Sequence, residues 1–329
     1  MGQLGIYTAG KMVYNISDNL CISGGHEVKE MKKKILFIVN PRSGKGQIRG
    51  KLLDIIDIFQ KGGYEVVVHP TQGPGDAGKV ARENAGEVDL LVCSGGDGTL
   101  DEVVSGLMQA ETAVPLGYIP SGSTNDFANS LRISKNMIQA ARDIMEGSVF
   151  ACDVGEFNSD YFVYIAAFGL FTDVSYETDQ HMKNLLGHLA YLLEAGKRIF
   201  NVPTYWLKVD GGDRKFQGEF IYGMVTNTRF VGGMKNIAGK EVELNDGLFE
   251  VTLIHPPKNP LELNDVITSL LSGESKSKLI ENFKTNRICF ESMEEIAWTL
   301  DGECGGSHTY VRIESRKQAL QMVVGPEKE

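Results

Sequence analysis

The stretch Ser94-Gly95-Gly96-Asp97-Gly98-Thr99-Leu100 follows the apolar run Val88-Asp89-Leu90-Leu91-Val92 and leads into a helical pattern. Three glycines, an acid and a hydroxyl turn a strand into a helix there. Bare backbone N–H groups and a helix N-terminus then face whatever lies beyond the strand, an arrangement suited to an anion and above all to a phosphate. Asp97 would repel phosphate unless a divalent cation bridged the two, so the loop points to Mg²⁺-nucleotide chemistry. Alone, the same residues also make an ordinary tight turn before a helix.

The surrounding pattern places this loop. From Ile35 the chain alternates strand 35–39, helix 47–61, strand 65–69, helix 76–84, strand 88–93, helix 99–109, a short strand near Leu116–Ile119 and a helix near 124–131. Continuously apolar strands alternating with helices predict a parallel sheet covered on both faces, whose ligands bind beyond the carboxyl ends of the strands. After about Cys152 the pattern turns β-rich: Tyr161–Phe168, Tyr205–Val209, Phe216–Thr226, Leu248–Ile254, Arg287–Phe290, Ile296–Leu300 and Thr309–Glu314. Turn signals at Asp210-Gly211-Gly212-Asp213, Asn245-Asp246-Gly247 and Asp301-Gly302 separate several of these runs, predicting a second, antiparallel domain. Helices interrupt it near 180–200 and 260–272, and Ala319–Val324 is apolar enough to return to the first domain. The expected division is therefore residues 31–152 with about 316–329, and residues 153–315. Residues 1–30 carry no period and read as an appended or poorly ordered extension ahead of Met31.

Two further loops follow strands of the first sheet. Asn40-Pro41-Arg42-Ser43-Gly44-Lys45-Gly46 offers glycines, a hydroxyl and two cations, and Pro120-Ser121-Gly122-Ser123-Thr124-Asn125-Asp126-Phe127 offers hydroxyls and an Asn/Asp pair opening a helix. Alone, the first reads equally as a basic surface loop, and the second reads better as a helix cap. Three phosphate-compatible loops after strands of one sheet are harder to treat as independent turns. Gly73-Pro74-Gly75-Asp76-Ala77-Gly78 satisfies G-x-G-x-x-G but is a poor dinucleotide site. Pro74 removes an amide donor, and no acid ends the next strand to take a ribose hydroxyl.

The 329 residues carry a net charge of −10, which argues against nucleic acid and against constitutive binding to anionic membranes. Five cysteines with no CxxC pair indicate neither a disulfide framework nor a zinc cluster. His181 and His188 fall on a leucine-rich helical pattern where packing or a solvated edge explains them better than metal ligation. No apolar run approaches a membrane span and no signal layout opens the chain, so a cytoplasmic protein is expected.

Together, Asn40-Pro41-x-Ser43-Gly44, Gly95-Gly96-Asp97-Gly98-Thr99, Pro120-x-Gly122-x-x-Asn125-Asp126-Phe127-Ala128 and Asp301-Gly302-Glu303 closely resemble the soluble bacterial diacylglycerol kinase family, related to the catalytic domains of diacylglycerol and sphingosine kinases. The resemblance runs from about Met31 to the C-terminus. It implies an α/β nucleotide-binding domain, a C-terminal β-sandwich that takes the lipid, and an active site in the cleft between them. ATP would lie against Asn40, Pro41, Arg42, Ser43, Gly44, Thr71, the loop Gly95, Gly96, Asp97, Gly98, Thr99, Leu100 and Asp101, and Ser123. Glu303 matches the general base for the lipid hydroxyl, and Asp97 and Asp126 match acids tied to a Mg²⁺ and water network. A structural Mg²⁺ would be held by the carbonyls of Glu243 and Leu248 and the carboxylate of Asp246.

Departures are Ser123 for the usual Thr, and Asp101 for the usual Asn, which adds a charge near the nucleotide. The implied activity is ATP- and Mg²⁺-dependent phosphorylation of diacylglycerol to phosphatidate, with transient contact at the inner face of the membrane and a homodimer left open. Rivals are kinases of a sphingoid base, phosphatidylglycerol or undecaprenol, an NAD kinase, and a catalytically silent lipid- or nucleotide-binding regulator. The Asn40 and Pro120 motifs disfavour NAD kinase, and retention of Asp97, Asp126 and Glu303 disfavours the silent regulator.

Overall fold

The computed structural model describes residues 32–110, 112–123, 125–169, 203–228, 230–231, 234–235, 242–272 and 277–326. Its first half runs β1 (Lys33–Val39), α1 (Leu52–Lys61), β2 (Tyr64–Pro70), α2 (Asp76–Asn84), β3 (Leu90–Gly95), α3 (Asp97–Ala110), β4 (Leu116–Pro120), α4 (Asp126–Ser130) and α5 (Met137–Glu146). The order β2-β1-β3-β4 is parallel throughout. Side chains of β1 alternate between the two faces, as a strand requires. Ile35, Phe37 and Val39 share a core with Ile55 and Phe59 of α1 and Ala140, Ala141 and Ile144 of α5. Leu36 and Ile38 join Ala77 and Ala81 of α2 and Val103, Val104 and Leu107 of α3. A strand buried on both sides has no polar face, which is why β1 and β3 read as unbroken apolar runs.

The second half contributes β5 (Ser148–Phe157), β6 (Asp160–Phe162), β7 (Ile165–Gly169), β8 (Tyr205–Asp210), β9 (Lys215–Phe220), β10 (Tyr222–Thr226), β11 (Phe230–Val231), β12 (Met234–Lys235), β13 (Phe249–Ile254), α6 (Pro260–Ser272), β14 (Ile280–Thr285), β15 (Arg287–Leu300) and β16 (Glu303–Val324). The pairings β14-β13-β10-β7-β15-β16 are antiparallel. These strands form the sandwich-like part of the molecule. Its core is aromatic: the Trp298 ring lies 5.2 Å from Phe157, 4.8 Å from Phe168 and 5.2 Å from Phe290. Burying so many large rings fixes the C-terminal end of β15. The hairpin that follows is held firmly in place.

The halves share one sheet. Met322 and Val323 of β16 pair in parallel with Leu116 and Gly117 of β4, the return expected of Ala319–Val324. β5 runs antiparallel along β16 from Ser148 to Phe157, so a division at 152/153 falls inside a strand.

Several elements differ from the pattern reading. The helix expected over 47–61 is an α-helix only from Leu52: ahead of it the chain turns left-handed at Gly44, Lys45 and Gly46 (φ 55°, 61° and 72°), winds as a tighter 3-10 segment to Gly50, and is set off from α1 by Lys51 at φ −118°. Val163 and Tyr164 split the run 161–168 into β6 and β7, and Ile221 separates β9 from β10. Arg287–Phe290 and Ile296–Leu300 are one strand that bulges between Glu291 and Ile296. α5, β5 and β14 were not anticipated. The helix expected near 180–200, residues 1–30 and Thr124 lie outside the described residues.

Candidate active site

The three glycine loops meet beyond the carboxyl ends of β1, β3 and β4, and backbone contact locks them together. A Cβ on Gly44 would lie 1.8 Å from the Ser121 carbonyl oxygen, and one on Gly122 would lie 2.6 Å from the Gly96 Cα. No side chain fits at either place. Asn40 Nδ2 donates to Thr99 Oγ1 (2.9 Å), and the Asn40 N–H donates to the Ser94 carbonyl (2.8 Å), joining the first loop to the second. The Ser121 N–H donates to the Gly95 carbonyl (2.8 Å), joining the second to the third. Asn125, at φ 53°, accepts from the Gly122 N–H (3.0 Å) and donates back to the Gly122 carbonyl (2.9 Å). This clamp was not among the expected site residues, since only its place in the motif hinted at it.

A cavity of about 620 Å³ opens over these loops, and Asn40, Arg42, Ser43, Gly44, Thr71, Gly96, Asp97, Gly98, Thr99, Asp101 and Ser123 line it. Glu303 lines the same cavity from the second half. Pro41, Gly95, Leu100 and Asp126 lie outside the lining, the last three being buried. Asp97 is buried in the first turn of α3, and Asp126 is buried in the first turn of α4. Acids there favour the positive end of a helix dipole.

Glu303 reaches the loops because Asp301-Gly302 is a two-residue hairpin turn. Both residues have positive φ, 50° and 91°, and Leu300 pairs with Glu303 across it. The turn is anchored from within its own half. The Asp301 carboxylate accepts from the N–H groups of Val163 (2.5 Å), Tyr164 (2.9 Å) and Ile165 (2.8 Å), and the Tyr164 hydroxyl donates to the Asp301 carbonyl (2.9 Å). So anchored, the turn sets Glu303 Oε1 where a Cβ on Gly98 would be 2.9 Å away. The base candidate thus overlies the first turn of α3, and the glycine there leaves it room.

The G-x-G-x-x-G stretch is occupied by the protein itself. Glu102 of α3 accepts from the Gly75 N–H (2.8 Å) and the Ala77 N–H (3.2 Å), taking the place a pyrophosphate would need. Gly78 and Gly106 let α2 and α3 cross closely, since a Cβ on Gly106 would fall 2.2 Å from the Gly78 carbonyl oxygen.

The segment bearing Glu243, Asp246 and Leu248 sits away from the cavity. Asp246 Oδ1 accepts from the Leu248 N–H (2.8 Å) and Oδ2 faces the Lys284 ammonium at 3.6 Å. Asp153 of β5 holds the same turn, accepting from the Gly247 N–H (2.6 Å) and the Gln318 N–H (2.7 Å). The Glu243 and Leu248 carbonyls with the Asp246 carboxylate would be hard-oxygen donors of the kind Mg²⁺ or Ca²⁺ takes, and the Lys284 ammonium already faces that carboxylate.

Both halves of the chain are similar to known proteins. Residues 34–157 match the diacylglycerol kinase catalytic domain and residues 166–324 match the YegS C-terminal NAD kinase beta sandwich-like domain. A diacylglycerol kinase of Bacillus subtilis is 35% identical over 277 residues, 83% of this chain and 91% of that protein. One of Staphylococcus saprophyticus is 32% identical over 278 residues, 84% of this chain and 90% of that protein. A crystal structure of a diacylglycerol kinase from Bacillus anthracis superposes with a TM-score of 0.69 at 25% identity, covering 91% of this chain and 99% of that one. The chain belongs to the diacylglycerol kinase family and is a lipid kinase.

Proposed function

We propose that the protein transfers the γ-phosphoryl group of MgATP to the free hydroxyl of diacylglycerol, giving phosphatidate. The observation that carries this reading is one cavity walled by three interlocked glycine loops and faced by the Glu303 carboxylate. The backbone of Gly44, Gly96 and Gly98, with Asn40, Ser43, Thr71 and Ser123, would cradle the nucleotide phosphates, and Arg42 would offset their charge. Mg²⁺, when bound near Asp97 and Asp126, supplies neutralisation of the phosphate oxygens. Glu303, exposed on its turn, takes the proton of the lipid hydroxyl, because an alcohol at neutral pH is a poor nucleophile without a base in reach. Phosphoryl transfer then depends on in-line placement rather than covalent help from protein.

A separate divalent cation would be held by Asp246 and the carbonyls of Glu243 and Leu248. The acceptor lies in a bilayer, so the enzyme would act from the cytoplasm in brief visits to the membrane surface. Among the described residues no helix is long and apolar enough to cross a membrane.

The test presents labelled ATP and Mg²⁺ to the purified protein with vesicles carrying diacylglycerol, a sphingoid base, phosphatidylglycerol or undecaprenol, and with NAD in solution. Label in phosphatidate is expected. Preferential label in another acceptor would reassign the substrate.

A further inference from the structure

Asp101 has a second neighbour besides the nucleotide loops. It sits one turn after Gly98 on the same face of α3, so the helix meets the hairpin at two points. Gly98 lies beneath Glu303, and the Asp101 carboxyl hydrogen-bonds the Asp301 carboxyl. Asp101 borders the cavity, yet its Oδ1 is closed to solvent and meets no N–H or O–H donor. Two carboxyl oxygens cannot hydrogen-bond without a proton between them. Asp301 already accepts three backbone N–H groups, which favour its ionised form, so the proton belongs on Asp101.

We propose that Asp101 is a positioning residue: as a neutral acid it donates to Asp301, tying α3 of the nucleotide-binding half to the turn that aims Glu303. This deepens the proposed function, and its role in turnover rests on that reading. Asp301 and Glu303 on the hairpin and Glu102 on its own helix act on Asp101, and Asp97 and the Arg42 guanidinium line the same cavity. Burial first, and then the charge and hydrogen bond of Asp301, hold the Asp101 carboxyl well above the ordinary carboxylate range. Burial likewise raises Asp301, against the pull of its three backbone donors. When the shared proton leaves, two carboxylates face each other across the join and push the hairpin from the helix. An asparagine at 101 would donate the same hydrogen bond with no proton to lose.

The experiment compares the parent with Asp101→Ala and Asp101→Asn in steady-state kinetics from pH 5.5 to 9.5, and in thermal denaturation over the same range. Asp101→Ala, with no donor, should lower kcat by roughly 10- to 100-fold, the scale of a misplaced catalytic group, with KM for ATP within about 2-fold. Asp101→Asn should regain most of that turnover and carry the alkaline limb at least one pH unit higher.

A carboxyl with a raised folded pKa stabilises fully below its unfolded value near 4, and that stability is lost as pH rises toward the folded pKa. The Tm of Asp101→Asn minus that of the parent should therefore grow with pH, by about 2–4 °C per unit. A KM for ATP raised as much as kcat falls would make Asp101 a nucleotide contact and overturn the proposal. So would an Asn variant as damaged as the Ala variant, or an unmoved alkaline limb. Should the parent phosphorylate no lipid, the functional reading fails on its own, and a Tm difference flat across pH would still overturn the Asp101–Asp301 join.

Discussion

Single residues in the cleft are constrained by backbone proximity more than by side-chain chemistry. Gly44 combines φ 55° with a Cβ position 1.8 Å from the Ser121 carbonyl oxygen. Gly44→Ala therefore adds left-handed strain of about 1–3 kcal/mol and must also push the first and third loops apart. We expect a lower Tm and nucleotide affinity reduced at least 10-fold, read by thermal denaturation and by titration with ATP. Unchanged values for both would mean the loops are not mutually locked. The sequence announced Gly44, Gly96 and Gly98 because loop glycines after a strand have few other uses. It could not announce the partners. Nothing in the spacing ties Asp101 to Asp301, or Asn125 to Gly122 rather than to a simple helix cap, since such contacts depend on how distant segments converge. Asp301 read only as a turn former, and its anchoring on residues 163–165 appears once β7 lies beside β15.

Among elements, those with one strong period were legible and those with mixed faces were not. β1, β3 and α3 are buried deeply enough that their apolar pattern is nearly complete. β14 exposes Asn282 and Lys284 between half-buried or buried neighbours, and β5 opens on exposed Ser148 and Val149, so neither has the unbroken apolar run of β1. β16 extends for 22 residues and changes neighbours along its length, with an irregularity between Arg316 and Leu320 where Gln318 takes φ 54°. The turn Asn245–Leu248 joins β5, β13, β14 and β16 through Asp153, Asp246 and Lys284. A divalent cation there would complete the oxygen set, and Asp246→Ala should release it. Metal analysis of extensively dialysed protein is expected to find Mg²⁺ or Ca²⁺ in the parent and little in the variant. A parent free of both ions would leave Lys284 alone as the counter-charge of Asp246.

The described residues form two halves sewn by β5 and β16 into one 14-stranded sheet, with the groups proposed to react divided between them. A compact unit spans Lys32–Glu329, and the catalytic-domain match opens at residue 34. Removal of residues 1–30 is accordingly expected to leave Tm and lipid kinase rate within about 2-fold and a few degrees of the parent; a large loss of either would assign that segment to the fold. The central claim is that the first half binds the nucleotide while Glu303 of the second removes the acceptor proton. The most direct test measures label transfer from ATP to diacylglycerol vesicles by Glu303→Gln, with ATP affinity measured on the same preparation. Glutamine keeps the size and cannot take the proton, so turnover should fall by roughly 10²–10⁴-fold with ATP affinity retained. Near-normal turnover by the folded variant at neutral pH would contradict the account and require another base.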